Sequence, residues 1–276
     1  MKKKKIIYYS DPINDDFGNE HDRPNVYNSY KFERKGLDDF FCKAFTFGFA
    51  VPLVWLFTRF CGIRYINKDN LKKLKHNKGG LFVYNNHAGV LDVIETTVLS
   101  TPKRVNHVGY SDPLTIPVAK SLVRALGYIP LPVDIHDYKK YEEVMLDYIE
   151  DKNEIICFYP EAHIWPSYNG VRPFKSVSFR YPAKFNKPVV PIFYLRRPKR
   201  GIHKLFYRQP MDVFIGPMYF PKEGLSVKEN EQYLRDCCYN FMKECSENNP
   251  KDSKIEYVYI PKEFNKNLNS YKKNKN

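Results

Sequence analysis

The chain has 276 residues, of which 43% are hydrophobic and 16% aromatic, and this composition excludes an intrinsically disordered protein. Its formal net charge of +14 at pH 7 predicts an anionic partner, either a nucleic acid, an anionic membrane surface or a phosphate-bearing substrate. The six cysteines show neither a C-x-x-C pair nor a zinc-type spacing, so we expect free thiols in a reducing compartment.

The two ends of the chain are polar. Residues 1–36 have no hydrophobic period and are expected to form an extended or loosely docked arm. Their only apolar stretch, IIYY, is shorter than the roughly 7 to 15 residues that a secretory signal needs, so we expect the amino terminus to stay in the cytoplasm. Residues 261–276 are rich in lysine and are expected to form a basic, mobile tail.

Residues 37–64 form an apolar region that we expect to associate with a membrane. As a helix, its uncharged core at residues 44–58 would extend for roughly 22 Å, less than the hydrocarbon thickness of about 30 Å. Lys43 and Arg59 flank this core, and Pro52 is expected to kink it. Three interpretations stay open: a helix embedded in one leaflet, a tilted transmembrane span, and a buried core helix.

From residue 77 onward, short β-rich runs alternate with helical stretches. This alternation predicts an α/β domain over residues 65–260, with a central, largely parallel (mixed) sheet flanked by helices. The strand candidates are LFVYN, RVNHVGY, YIPLPV, EIICFYP and PVVPIFYL, and the helix candidates include VLDVIETTVLS, PVAKSLVRALG, YKKYEEVMLDYIE and FKSVSFRYPAKF. A later antiparallel pair is predicted for KLFYRQP and MDVFIGPMYF, followed by a long amphipathic helix around residues 227–248.

The stretch LFVYNNHAGVLDVIETT places His87 just past a predicted strand and Asp92 near the start of the next helix. Ligands of α/β sheets collect at the carboxyl ends of strands. A carboxylate that binds one ring nitrogen of a histidine leaves the other nitrogen able to take a proton from a hydroxyl. Because the chain has no G-x-S-x-G motif, the pair predicts that the substrate supplies this hydroxyl. Alternatively, the Asp92 carboxylate has no catalytic role and only interacts favourably with the positive amino-terminal end of the helix dipole.

The order of the motifs resembles that of the glycerolipid acyltransferase family, whose hallmark is Asn-His-x4-Asp, here Asn86, His87 and Asp92. The second block of the family is echoed by GYIPLPV without its arginine, and the fourth block by VVPIFYL. The third block, Phe-Pro-Glu-Gly-Thr-Arg-Ser, is echoed by YPEAHIW, a form that looks like a bacterial side branch of the family. The resemblance covers about residues 65–220.

The resemblance implies roles for these residues. His87 would be the general base, Asp92 would orient it, and backbone N–H groups around residues 88 and 89 would stabilise the oxyanion. Asn86 would belong to the substrate-binding turn, and Glu161 would shape the acceptor loop. No cofactor and no metal is required.

The arginines of the family that normally bind the acceptor phosphate are absent, which predicts substitutes. Arg172 and Lys175 are our candidates, and Lys175 is expected in the first turn of a helix, where backbone donors suit a phosphate. His163 could also donate to a phosphate, or it could be a structural hydrogen bonder beside Trp165. His107 follows another strand candidate, but no ligand spacing supports a metal site there.

The combined prediction is a membrane-associated O-acyltransferase at the cytoplasmic face of the cell membrane, monotopic or with one short transmembrane helix. It would transfer a fatty acyl group from acyl-CoA or acyl-carrier protein to a lysophospholipid, with 1-acyl-glycerol-3-phosphate as the first candidate acceptor, on an anionic membrane surface. A different lipid or glycan acceptor and a non-catalytic lipid-binding relative stay open. A nucleic-acid partner is not expected, because it would explain neither the apolar region nor the four blocks.

Overall fold

The computed structural model describes residues 4–15, 17, 27–86, 89–115, 117–205 and 209–264, without the side chains of residues 90–92 and 117–119. The strands in this part of the chain are β1 (Lys5–Tyr9), β2 (Arg64–Ile66), β3 (Leu81–Asn85), β4 (Val105–Gly109), β5 (Tyr128–Pro130), β6 (Ile155–Phe158), β7 (Val189–Arg196), β8 (Met211–Ile215) and β9 (Ile255–Tyr259). The α-helices are α1 (Gly36–Lys43), α2 (Val51–Phe60), α3 (Lys68–His76), α4 (Val90–Ser100), α5 (Pro117–Ala125), α6 (Tyr138–Leu146), α7 (Arg180–Phe185) and α8 (Val227–Asn248).

Seven of the described strands form one mixed sheet in the order β2-β8-β7-β3-β6-β4-β5. The five strands from β7 to β5 in this order run parallel, whereas β8 is antiparallel to β7 and parallel to β2. We call the edge at which the five parallel strands end the carboxyl edge, and the opposite one the amino edge. Because β2 and β8 run the other way, both begin at the carboxyl edge. The predicted α/β fold with a largely parallel sheet is confirmed.

Both faces of the sheet are covered, because alternate residues of each strand point to opposite sides. Phe82 and Tyr84 of β3 belong to a core cluster that α6, α7 and α8 complete. Leu81 and Val83 belong to a second cluster that contains side chains of α3 and α4. All five residues of β3 are buried, so this strand lies at the centre of the domain and places its last residue, Asn85, at the carboxyl edge.

The strand pairing differs from the sequence prediction around β8. The central residues 206–208 of KLFYRQP lie outside the described part of the chain, and the described neighbours of β8 in the sheet are β7 and β2. Gly201–Lys204 instead forms a 3₁₀ helix. The antiparallel partner of β8 is therefore the preceding strand β7, with Phe193 opposite Phe214.

The described parts of the amino-terminal arm, residues 4–15, 17 and 27–36, pack against the domain rather than docking loosely. β1 pairs in parallel with β9 in a separate two-stranded sheet. Tyr27, Tyr30 and Phe32 are buried in the first core cluster. Arg34 and Glu154 form a buried ion pair at 2.8 Å. The sequence did not predict this because three aromatic residues without a regular period give no strand or helix pattern.

The apolar region forms one continuous helix of 25 residues, Gly36–Phe60, in which the π-helical segment Ala44–Ala50 joins α1 to α2. At 1.5 Å per residue the helix extends for about 37 Å, so it is long and apolar enough to cross a bilayer. Large side chains such as Phe49, Trp55 and Phe60 are exposed. Only 17% of its most apolar window is buried, which does not fit the core-helix interpretation. The kink at Pro52 stays a prediction.

Candidate active site

The turn between β3 and α4 carries the predicted catalytic motif at the carboxyl edge. β3 ends at Asn85 and α4 begins at Val90, as the sequence predicted. Asp92 belongs to the first turn of α4, but its side chain is outside the described part of the structure, and so are His87 and Ala88. The catalytic pairing of His87 with Asp92 therefore stays a prediction.

Asn86 fastens the start of this turn to the neighbouring strand. Its side-chain amide donates to the carbonyl oxygen of Tyr194 at 3.1 Å, and its oxygen accepts from the backbone N–H of Tyr194 at 2.7 Å. Asn86 is buried, and both of these bonds join it to the backbone of β7. These contacts give Asn86 a positioning role, whereas the sequence predicted a substrate-binding one.

A second set of polar contacts holds α4 against the sheet. The amide of Asn85 donates to the hydroxyl of Thr96 at 2.6 Å, and this hydroxyl lies 2.9 Å from that of Tyr194. Thr96 is one helical turn beyond Asp92, so the three side chains fix the first turns of α4 relative to the ends of β3 and β7.

Glu95 attaches α4 to the apolar helix. It is buried and accepts a hydrogen bond from the hydroxyl of Tyr65. Burial raises the pKa of the Glu95 carboxyl to about 7, against the opposing effect of hydrogen bonds from Tyr65 and Thr58. Because Thr58 belongs to α2, the helix that carries Asp92 is joined to the apolar helix by a carboxyl group that titrates near neutrality.

His107 is a structural residue. One ring nitrogen lies 3.1 Å from the hydroxyl of Thr97, and the other lies 3.0 Å from that of Tyr159. The ring joins α4, β4 and the end of β6, and it is buried. Among the residues that the structure describes, no group of three or more His, Cys, Asp and Glu residues is placed to hold a metal ion.

The loop after β6 contains the altered third block, and Arg172 holds it together. The guanidinium of Arg172 binds the carboxylate of Glu161 at 3.1 Å and donates to the carbonyl oxygens of Glu161, His163 and Pro12. It also lies 4.9 Å above the ring of Trp165. Arg172 is only 1% exposed. The structure therefore gives no support to Arg172 as a phosphate ligand, because its guanidinium is enclosed and bound by the protein itself.

Both ends of the described chain cover this loop. The ring of Trp165 packs 4.8 Å from Tyr9 of β1 and 4.9 Å from Tyr257 of β9, and its N–H donates to the carbonyl oxygen of Asp15 at 2.8 Å. His163 is half-buried beside this cluster, and its carbonyl oxygen accepts from Arg172. The small β1–β9 sheet thus explains how a loop with Ala, His and Ile in the third block is kept in place.

Ala162 adopts a backbone conformation that favours glycine. The resemblance places a glycine at this position, and Ala162 has a φ of 61°, in the left-handed region that favours glycine. The Cβ atom of Ala162 therefore imposes a strain that a glycine at this position would not have.

Lys175 lies outside the helix that the sequence predicted for it. The 3₁₀ helix begins at Val177 with Ser176 as its N-cap, so Lys175 precedes the first turn. The hydroxyl of Ser176 donates to Glu231 at 2.5 Å, which fixes the start of this segment to α8. Lys175 is exposed, and the prediction that it binds a phosphate is not tested.

Arg196, which the sequence analysis missed, brings a cation to the catalytic turn. It is the last residue of β7, and its guanidinium lies beside Gly89. A Cβ atom added to this glycine would be 3.8 Å from Nη2 of Arg196. Asn169 holds its backbone by accepting from the N–H of Arg196 at 3.1 Å. In the sequence this arginine is one of several charges after VVPIFYL. The available signal was the parallel pairing of that strand with LFVYN, which brings both strand ends together.

Comparison with known proteins agrees with this arrangement. Residues 62–195 match the family model described as Acyltransferase. The comparison with curated proteins gave no match. One of nine matching solved chains is the 1-acyl-sn-glycerophosphate (LPA) acyltransferase, PlsC, from Thermotoga maritima. It is 17% identical with a TM-score of 0.52, over 73% of this chain and 81% of that chain, and this shows a shared fold.

The matched residues contain both the turn between β3 and α4 and the loop of the third block. The motif, the sheet that presents it and the family model thus agree, and residues 62–195 form an acyltransferase domain.

Proposed function

We propose that the protein transfers a fatty acyl group from an acyl thioester to the free hydroxyl of a lysophospholipid at a membrane surface, with 1-acyl-glycerol-3-phosphate as the first candidate acceptor. The observation that carries this proposal is the position of the catalytic turn. This turn follows the central strand β3 at the carboxyl edge of the sheet. It lies between the end of β7, which carries Arg196, and the loop after β6.

The proposed chemistry is direct acyl transfer. His87 takes the proton of the acceptor hydroxyl as its oxygen attacks the thioester carbonyl, and Asp92 stabilises the imidazolium. The carbon–sulfur bond then breaks, and the departing thiolate receives a proton. The backbone N–H of Gly89 is the proposed oxyanion donor. A histidine base near its reference pKa of about 6.5 would lose activity on acidification, as it becomes protonated.

For the acceptor phosphate we propose Arg196, with Lys175 as a second cation, in place of Arg172. Arg196 lies beside Gly89 at the catalytic turn, where a phosphate on the substrate would be close to the reacting hydroxyl. A guanidinium can bind two phosphate oxygens at once, which fixes orientation as well as charge. Acyl-CoA and acyl-carrier protein are both proposed as acyl donors.

Membrane association is supported by the helix Gly36–Phe60. Its exposed side chains include Phe40, Phe41, Phe49, Leu53 and Trp55, which would be costly to leave in water. We propose that this helix is embedded in the membrane and that the domain lies on the cytoplasmic face.

The test is acyl transfer in mixed micelles. Purified protein would be given acyl-CoA or acyl-carrier protein, and a panel of lysophosphatidic acid, lysophosphatidylcholine and monoacylglycerol. We expect product on lysophosphatidic acid. Product on none of the acceptors from either donor would overturn the proposal.

Recognition of the phosphate has its own test. We expect Arg196→Gln to raise KM for lysophosphatidic acid about 10-fold or more, with a smaller effect on monoacylglycerol, because a charge-assisted hydrogen bond is lost. Arg180→Gln, which removes an exposed arginine on α7, is the matched control. Equal KM values for Arg196→Gln and the parent would remove Arg196 from the phosphate site.

A further inference from the structure

The loop between β7 and β8 combines basic and apolar side chains at the carboxyl edge. Its residues 197–205 read RPKRGIHKL, with four Lys or Arg residues and no carboxylate. Ile202 is 66% exposed and Leu205 is 85% exposed, and Arg200 and Lys204 beside them are exposed as well. We call this segment the basic loop.

The basic loop lies against the end of the apolar helix. The guanidinium of Arg197 donates to the carbonyl oxygen of Gly62 at 2.7 Å. The imidazole ring of His203 packs directly on Gly62, and a Cβ atom added to this glycine would lie only 2.4 Å from the ring. Gly62 follows α2 by two residues and precedes β2, which begins at the carboxyl edge. The last turn of the apolar helix, the basic loop and the catalytic turn are therefore at one edge of the domain.

The base of the loop is held by ion pairs. Asp212, at the start of β8, binds the guanidinium of Arg64 through two hydrogen bonds of 2.7 and 2.6 Å and lies 3.1 Å from Nε of Arg197. These contacts neutralise part of the charge at the base. The charge of Arg200 and Lys204, together with the exposed Ile202 and Leu205, is presented at the tip.

We propose that the basic loop is a second membrane-binding element, which takes up the headgroups of anionic lipids and inserts Ile202 and Leu205 into the leaflet. This inference rests on the proposed membrane association and adds a lipid class and an orientation to it. Clustered Lys and Arg residues are attracted to anionic leaflets, and neighbouring aliphatic side chains enter the boundary of the acyl chains. The loop lies beside the apolar helix Gly36–Phe60, whose last turns expose Phe57 and Phe60, and this favours a lipid surface over a nucleic acid.

The orientation has a consequence for the reaction. With the helix end and the basic loop both on the membrane, the carboxyl edge faces the leaflet. A lysophospholipid can then reach the catalytic turn while its acyl chain stays among lipids.

The test uses the full-length protein and vesicles of phosphatidylcholine, with and without phosphatidylglycerol, at low and high salt. Arg200→Gln with Lys204→Gln should lower the partition coefficient on anionic vesicles about 10- to 30-fold at low salt and leave binding to neutral vesicles unchanged. The matched control is Lys68→Gln with Lys73→Gln, two exposed lysines of α3, which follows β2 at the amino edge. This control should keep the partition coefficient of the parent to within about twofold.

A second measurement covers the case in which the apolar helix alone makes binding too strong to compare. An environment-sensitive fluorophore on Leu205→Cys, in a background with Cys61→Ser and Cys237→Ser, should be quenched by brominated lipid chains in anionic vesicles. The same label on Phe220→Cys, an exposed site beside Tyr219 at the amino edge, should not be quenched.

Three results would overturn the inference, and they differ in what they leave standing. In the first result, the parent binds vesicles, the double glutamine variant binds as well as the control pair, and the label at position 205 stays in water. The basic loop is then not a membrane element, and the helix alone anchors the protein. If the parent binds no vesicles of either kind, the proposed membrane association fails as well. Preferential binding of RNA or DNA, lost in the double glutamine variant, would assign the loop to a nucleic acid instead.

Discussion

Arg172→Met tests the structural role that the fold gives to this arginine. The methionine has a similar length but carries no charge and no donor. The substitution leaves Glu161 without its buried ion-pair partner, and it leaves the carbonyl oxygens of Glu161, His163 and Pro12 without the guanidinium. Breaking a buried ion pair by removing one partner costs about 3 to 5 kcal/mol. We therefore expect the free energy of unfolding to fall by about 4 kcal/mol, a large part of the 5 to 15 kcal/mol of a typical domain.

The measurement is urea unfolding in detergent micelles, followed by tryptophan fluorescence, since Trp165 packs on the guanidinium. Arg180→Met is the control, because Arg180 is exposed and its loss should change the free energy by less than about 0.5 kcal/mol. Adding Glu161→Gln to Arg172→Met should recover about 1 to 3 kcal/mol by removing the unpaired charge. A fall of less than about 1 kcal/mol in Arg172→Met, as for an exposed pair, would refute the reasoning. A large rise in KM for lysophosphatidic acid in a stable variant would return Arg172 to the phosphate site.

Three further changes test other parts of the account. The raised pKa of Glu95, about 7 against an ordinary 4.5, means that the folded state keeps the proton that the unfolded state releases. The free energy of unfolding of the parent should therefore fall by up to about 3 kcal/mol between pH 4.5 and 7, and that of Glu95→Gln should fall much less. If urea unfolding gave the same pH dependence of this free energy for both proteins, the reasoning would be wrong. Ala162→Gly should raise the free energy of unfolding by about 0.5 kcal/mol and Ala162→Val should lower it, because of the positive φ; the reverse order in the same assay would exclude strain. Asn86→Ala should lower the free energy of unfolding by about 2 kcal/mol and also lower kcat, because it removes both hydrogen bonds to Tyr194. An unchanged free energy of unfolding and an unchanged kcat would show that other contacts position this turn.

Much of the fold follows from the sequence because period and composition act locally. β3 at Leu81–Asn85, α4 at Val90–Ser100 and α8 at Val227–Asn248 have the predicted bounds. Each combines a continuous run or a regular period of apolar residues with polar or glycine residues at its ends. The parts that the sequence did not predict depend on contacts between distant residues. β1 has a strand composition, but its partner β9 is at the other end of the chain.

The candidate site divides in the same way. The motif around His87 could be recognised because its spacing is local. The roles of Arg172 and Arg196 could not be assigned from the sequence, because each depends on which loop or strand lies beside it. In the sequence both are arginines in polar surroundings. In the structure Arg172 is enclosed by the third block, whereas Arg196 lies beside Gly89.

The most direct test of the account is acyl transfer by His87→Ala. Product formation from acyl-CoA and lysophosphatidic acid would be compared with that of the parent and of His76→Ala, an exposed histidine on α3, with circular dichroism as the check on folding. We expect His87→Ala to fold and to lose about 10²- to 10⁴-fold in rate, the usual effect of a general base, while His76→Ala keeps the rate of the parent. A folded His87→Ala protein that transfers acyl groups as fast as the parent would contradict the central claim.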